Sequence, residues 1–186
     1  DAWTVSFWFK PTALPIVDGS IKSYIVACGT NKGVGAAVKY KGATFIYDDA
    51  AGPHFFWHDS PGIQGVASAS RSLVLNTDFV ANQWYLITVR FNQSGLLWDV
   101  MVNDKSDVST VLPSQTTGRT YRWSETYFSI NAGDTNSLTS GSVGRSNHSV
   151  GDFYAWTRYL TDREISTLYH TVHSRNNKHS ALMASF

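Results

Sequence analysis

Cysteine is almost missing from this chain. Cys28 is the one cysteine in 186 residues, so no disulfide can staple the molecule internally. It lies in the apolar run Tyr24-Ile25-Val26-Ala27-Cys28 without electropositive neighbours, a setting that suits a small buried hydrophobe and not a nucleophile. Glutamate is scarce too, with Glu125 and Glu164 alone. Charge of one sign is also lacking, since 15 Lys and Arg face 14 Asp and Glu for a net of +1. Nucleic-acid binding by phosphate neutralisation needs a basic cluster, and the densest basic stretch, Arg163 to Lys178, is interrupted by Glu164 and by apolar positions. No apolar run approaches the roughly 18 residues of a membrane-spanning helix, which excludes helical membrane insertion. No charged leader with an apolar core opens the chain; it starts in mid-pattern at Asp1-Ala2-Trp3, as expected of a mature protein or a domain cut from a longer one.

What is present is aromatic and apolar. Phe, Trp and Tyr make up 14% and all hydrophobic residues 42%, enough for a full core. In the opening segment Trp3, Val5, Phe7 and Phe9 alternate with Thr4, Ser6, Trp8 and Lys10 until Pro11 ends the run, the period of a strand. Further strands are expected at Ile21–Cys28, with turn residues Gly29 to Gly35 after it, at Ala36–Tyr40 and Ala43–Tyr47 around a Lys41-Gly42 turn, and at Arg71–Leu75. Trp84–Phe91 and Leu96–Val102 flank Asn92-Gln93-Ser94-Gly95, a loop with hairpin chemistry. Thr126–Ile130, Ser142–Arg145 and Gly151–Thr157 complete the set.

The chain then changes period. Thr161 and Glu164 can exchange side-chain and backbone hydrogen bonds as a capping box, and Ile165, Leu168, Tyr169 and Val172 follow on one helical face. The expectation is an all-β, antiparallel two-sheet sandwich in one domain over 1–186, with one short C-terminal helix at about 161–172 and a tail at 174–186.

Three blocks resemble the laminin-G-like, concanavalin A-like jelly-roll superfamily. The opening Trp3 to Pro11 is similar to its first strand. Gln83 to Phe91 with Asp99 to Asp104 is similar to its central hairpin, although Asp104 stands where the family commonly has glycine. Gly144 to Tyr169 is similar to its last strand and "Leu-(Ser/Thr)-Asp-x-Glu-Ile" helix. The resemblance implies a jelly-roll sandwich, and it implies a function among lectins, carbohydrate-binding modules, adhesion and viral attachment domains, with some glycosidases and lyases.

Catalytic chemistry finds little material. Glycoside hydrolysis uses two facing carboxylates, about 5–5.5 Å apart for retention. Glu164 belongs to the cap, Glu125 stands alone in Arg122-Trp123-Ser124-Glu125, and Asp48-Asp49 point to opposite faces of any strand. No catalytic residue is assigned. A lyase would need a Tyr or His base beside an Arg or Gln, and no motif gathers them. His170 and His173 are i, i+3 on the helix with His179 nearby, but the core candidates Tyr169 and Val172 interleave them, as on the flank of a packed face.

Binding surfaces are better represented. Gly52 to Gly62 carries Phe55-Phe56-Trp57 between His54 and His58-Asp59; a strand there puts Phe55 and Trp57 on one face and Phe56 with His54 and His58 on the other. Sugars pair exposed aromatic platforms with polar partners, so His54, Phe56, Trp57, His58 and Asp59 are candidate ligand contacts, with Arg122 and Trp123 as a second mixture suited to an acidic group. Two-sided burial or an oligomer contact accounts for the same aromatic run. Calcium is the one cofactor the loops suit, through Asp48, Asp49, Asp134 and Asn136, and such residues are also ordinary turn formers. Asn92-Gln93-Ser94 and Asn147-His148-Ser149 match glycosylation acceptors.

The sequence therefore points to a non-catalytic module outside a cell or on a virion surface that binds a glycan or glycoprotein surface. The alternatives are an attachment or structural domain of a viral or cell-surface assembly with a protein partner or its own copies, and, lower, a polysaccharide-processing enzyme.

Overall fold

The computed structural model describes residues 2–14, 24–32, 39–47, 51–59, 69–92, 94, 97–111, 127–130 and 148–183. Among the described residues ten strands precede one helix: β1 (Ala2–Pro11), β2 (Tyr24–Lys32), β3 (Lys39–Ile46), β4 (His54–Asp59), β5 (Ala69–Val74), β6 (Tyr85–Asn92), β7 (Leu97–Val102), β8 (Lys105–Val111), β9 (Tyr127–Ile130), β10 (His148–Trp156) and α1 (Asp162–Met183). They form two five-stranded antiparallel sheets, β10-β1-β6-β7-β8 and β5-β4-β3-β2-β9. This is the expected all-β sandwich. The three blocks that carry the family resemblance fall side by side as β10, β1, β6 and β7 of one sheet, with α1 following β10.

Alternation decides what enters the core. Trp3, Val5, Phe7 and Phe9 of β1, Tyr85, Ile87, Val89 and Phe91 of β6, and Trp98, Val100 and Val102 of β7 pack against Ile25, Phe45, Phe55 and Leu73 of the facing sheet. Phe9 is the hub. Its ring meets Phe45 edge-on at 5.2 Å, Tyr47 at 5.0 Å and Phe79 at 5.7 Å between centroids, geometries that add to simple area burial.

Several boundaries differ from the sequence expectation. β2 runs on through Gly29-Thr30-Asn31-Lys32, and β3 crosses Lys41-Gly42 without turning, so Gly29 faces Gly42 in the ladder. Glycine keeps both backbone hydrogen-bonding groups, and the pairing closes at Lys32↔Lys39, so no reversal is needed earlier. β8 was not anticipated because Lys-Ser-Asp-Val-Ser-Thr-Val alternates weakly; the two-residue turn Asn103-Asp104, with Asn103 at φ 61, folds it back onto β7. The helix reaches Met183 instead of ending near 172, and no tail begins at 174. The apolar stripe stops at Val172, but neither Gly nor Pro occurs before 183 to break the helix. The strand expected at Ser142–Arg145 lies outside the described residues.

Part of the outer face of the first sheet is buried as well, which simple strand alternation does not predict. Thr4, Ser6 and Thr88 are fully buried there; Ser6 and Thr88 hydroxyls are 2.7 Å apart, and Thr4 Oγ1 donates to Arg158 O while accepting from Leu160 N. Arg90 and Asp99 oppose each other across β6 and β7 and are 4% and 3% exposed. Arg90 Nε donates to Asp99 Oδ2 at 2.8 Å, Nη2 donates to the same oxygen, and Nη1 donates to Leu160 O at 2.9 Å and Asp162 Oδ1 at 2.5 Å. The guanidinium also lies over the Tyr159 ring, 4.6 Å from its centroid. Burial works against the charge of Arg90, yet its hydrogen bonds to Asp162 and Asp99 outweigh this and raise its pKa further.

This joint delivers the chain to the cap of α1. Thr161 N donates to Glu164 Oε2 at 2.8 Å, Glu164 N donates to Thr161 Oγ1 at 3.3 Å, and Leu160 packs with Ile165, so capping box and hydrophobic staple are both present. Arg158 Nη2 adds a 2.6 Å hydrogen bond to Glu164 Oε1.

Replacing Arg90 by Ala leaves Asp99 buried without its counter-charge, at an expected cost of about 3–5 kcal/mol in urea unfolding; a loss under about 1 kcal/mol would show that the joint is dispensable. Glu164 supplies a pH test. Its carboxyl is held down at about 2 by Arg158 and by the Thr161 backbone and hydroxyl, against an ordinary value of 4.5. A depressed folded pKa gives stability that is complete above the ordinary value and fades as pH falls from about 4.5 towards 2. Helicity by circular dichroism should therefore drop over that window, and Glu164→Gln should remove this component of the drop.

Candidate binding surface

The residues singled out in the sequence fare unevenly. The segment proposed as a rim platform is the interior strand β4, paired on one side with β3 and on the other with β5. Phe55 is core, stacked on Phe45 with centroids 4.9 Å apart. His54 is 3% exposed, and its Nδ1 lies 2.6 Å from Gly52 O, so it belongs to the packed structure and not to an open surface. Phe56 is in register with Thr44 and Ser72, Trp57 with Ala43 and Arg71, His58 with Gly42 and Ser70, and Asp59 with Lys41 and Ala69. Arg122, Trp123, Asp48, Asp49, Asp134 and Asn136 lie outside the described residues. Among the described residues no group of three or more His, Cys, Asp or Glu is placed to hold a metal. His170 on α1 is exposed and reaches across to the β7–β8 turn, with Nε2 3.2 Å from Asp104 Oδ2.

The carboxylates of the Arg90 joint are not arranged for acid–base work. Asp99 is buried, and besides Arg90 it receives the Tyr159 hydroxyl at 3.4 Å and the Ser106 hydroxyl at 3.5 Å. Its acceptor capacity is spent on holding strands and helix together, which leaves no approach for a substrate.

A different surface emerges on the outer face of the first sheet, past the part that α1 covers. α1 shields Trp8, whose ring stacks on Tyr169 with centroids 5.9 Å apart. One pleat further along β1, Lys10 is only half-buried. Beside it stands Trp84, immediately before β6. A turn positions that residue: Asn82, at φ 66, donates its N–H to Pro11 O at 2.6 Å, and Val80 N donates to Tyr85 Oη at 2.8 Å. The turn is thereby tied to the end of β1, and Trp84 is brought level with Lys10.

The indole then spans β1 to reach β10. A register shift opposite Phe7/Trp8, with Asp152 at φ 23, sets Gly151 opposite Trp8. A Cβ built on Gly151 would stand 3.5 Å from Trp84 Cη2 and 3.7 Å from Cζ3. Glycine thus leaves room beside the outer rim of the indole. Lys10 Nζ lies 5.1 Å from the ring centroid, a cation–π contact. Trp84 remains 38% exposed, whereas Trp3, Trp8 and Trp98 are buried.

On the covered side, Tyr169 of α1 stacks on Trp8, and the neighbouring His170 lies beside Asp104. Burial pushes the Tyr169 hydroxyl pKa up, and the Asp104 carboxylate raises it further. The assembly offers an aromatic plate with an indole N–H, an ammonium, and more remotely an acid–imidazole pair. It can hold an amphipathic polar ligand. Sequence reasoning placed Lys10 and Trp8 on the polar face of β1 and Trp84 at a strand start. What it lacked was the bulge that puts Gly151 beside the indole.

Side-chain volume at 151 gives a direct test. The Cβ of Gly151→Ala would meet Trp84 at an ordinary contact distance, so the indole should stay in place; Gly151→Leu should displace it. Acrylamide quenching, with Trp84→Phe as reference, should rise for the leucine variant only.

No family model matches the sequence, and no curated protein does. Solved structures share its fold. An HCR/D mutant aligns with TM-score 0.56 and 13% identity over 92% of this chain and 38% of that chain. The botulinum neurotoxin type G receptor binding domain aligns with TM-score 0.56 and 15% identity over 92% and 38%. Botulinum neurotoxin type C, which enters cells in dependence upon interaction with two ganglioside molecules, aligns with TM-score 0.51 and 14% identity over 92% and 36%. The chain spans little more than a third of the length of these proteins, and at such identities the likeness is one of fold.

Proposed function

We propose that this chain is a non-catalytic recognition module that binds glycans, acting outside a cell or on a virion surface. The observation that carries the reading is Trp84. An indole left 38% exposed, with its outer rim beside Gly151, in a chain that buries Trp3, Trp8 and Trp98, is a plate for the apolar C–H face of a sugar ring. The fold shared with receptor-binding domains, one of them from a toxin that interacts with gangliosides, supports a binding role for this architecture. Membership of the laminin-G-like, concanavalin A-like superfamily is part of the same proposal, supported by the adjacency of β10, β1, β6 and β7. So are further contacts from Phe56, Trp57, His58 and Asp59 on β4 and from Arg122 and Trp123, and a calcium site from Asp48, Asp49, Asp134 and Asn136.

A glycan array with and without calcium chelation tests this. At least one glycan should be retained by the wild type and lost or weakened about tenfold or more by Trp84→Ala, in line with the loss of one stacking aromatic. A second reading, an attachment or structural domain with a protein partner, draws on Val74 and Val111, which are 47% and 65% exposed on the adjoining edge strands β5 and β8. Absence of any glycan signal with concentration-dependent oligomerisation would favour it, and turnover of a polysaccharide by the pure protein would overturn both.

A further inference from the structure

We infer that the Trp84 surface selects sugars bearing a carboxylate, with Lys10 as the specificity-determining residue; this rests on the glycan reading above and narrows it to acidic glycans.

The argument starts from the state of Lys10. Among the described residues no carboxylate lies within ion-pair distance of it, Asp152 next to Gly151 included. Elsewhere among the described residues Arg90 pairs with Asp99 and Asp162 and Arg158 with Glu164, and His170 Nε2 lies beside Asp104 Oδ2. Lys10 instead rests its ammonium on the indole at 5.1 Å. A cation–π contact at an exposed site is a weak use of a full charge.

That contact also occupies the plate. One side of the Trp84 ring lies toward Gly151 and Trp8, and Lys10 Nζ sits over the ring. A neutral sugar must displace the ammonium to stack and offers it only uncharged hydroxyl acceptors in return. A sugar with a carboxylate offers the ammonium a charge-assisted hydrogen bond as it leaves the ring, so the same movement frees the indole and neutralises the cation. The lysine stem is flexible enough for this exchange, and its point charge needs no fixed bidentate geometry. The indole N–H, with no hydrogen-bond partner among the described residues, is a second donor at the plate's edge.

Carboxylated sugars come from two sources, sialylated oligosaccharides and uronate-containing chains, and both are used as probes. Affinities of the intact chain are measured by calorimetry for sialyllactose, for lactose, and for a hyaluronan oligosaccharide and its carboxyl-reduced form. At least one acidic probe should bind about ten- to a hundredfold more tightly than its neutral parent, the range for a hydrogen bond to a charged group. That preference should shrink as salt is raised from low to about 0.5 M. Lys10→Gln should abolish the preference, and Lys10→Arg should restore it. Arg163→Gln, which removes an exposed charge from α1, should change nothing. Melting curves of each variant control for folding. Equal, Trp84-dependent binding of acidic and neutral probes would overturn the inference and leave the glycan reading standing. Trp84-independent binding, or none to any glycan, would overturn both.

Discussion

One buried cation ties the first sheet to the segment that leads into α1. Arg90 is set in the middle of the first sheet, facing away from the aromatic core, where an unpaired guanidinium would be very costly. Its donors are answered from three places in sequence: Asp99 on the neighbouring strand, the Leu160 carbonyl, and Asp162 in the first turn of α1. Each partner is more than eight residues away along the chain, so the joint closes once the β6–β7 hairpin has formed and the end of β10 has come round. The aromatic face of Tyr159 caps it. The segment after β10 therefore has one place to lie, and the capped helix begins there.

The consequence is a divided outer face. Where α1 lies, the sheet is covered: Ile165 packs with Met101 and Leu160, and Tyr169 stacks on Trp8. One pleat beyond Trp8, Lys10, Gly151 and Trp84 come together. The opposite face of that sheet carries the core, with Phe9 meeting Phe45, Tyr47 and Phe79. Interlocked aromatics on that scale explain how a sandwich with a single cysteine holds together without disulfides.

Legibility followed the strength of local signals. β1, β6 and β7 were readable because large apolar residues alternate cleanly over six or more positions, and the cap was readable because Thr161 and Glu164 carry reciprocal chemistry at fixed spacing. β2 and β3 were cut short in the reading because glycine looks like a turn locally, while their ladder needs only backbone groups. β8 is polar and takes its place through the Asn103-Asp104 turn. The aromatic run Phe55-Phe56-Trp57 drew notice as a surface, yet Phe55 is core because β4 lies inside its sheet, with β3 and β5 on its flanks.

Local pattern alone set the all-β class, the inner faces of β1, β6 and β7, the helix start, and a supply of only two glutamates. Those properties depend on period, capping chemistry and composition, all of which are local. Tertiary structure decided which polar residues are buried and which aromatic is exposed. Arg90 and Asp99 read as solvent-facing until β10 and α1 bring Leu160 and Asp162 over them, and Trp84 reads as a strand residue until a bulge in β10 brings Gly151 to its rim. Both outcomes depend on strands distant in sequence meeting in one register, and no local pattern encodes that meeting.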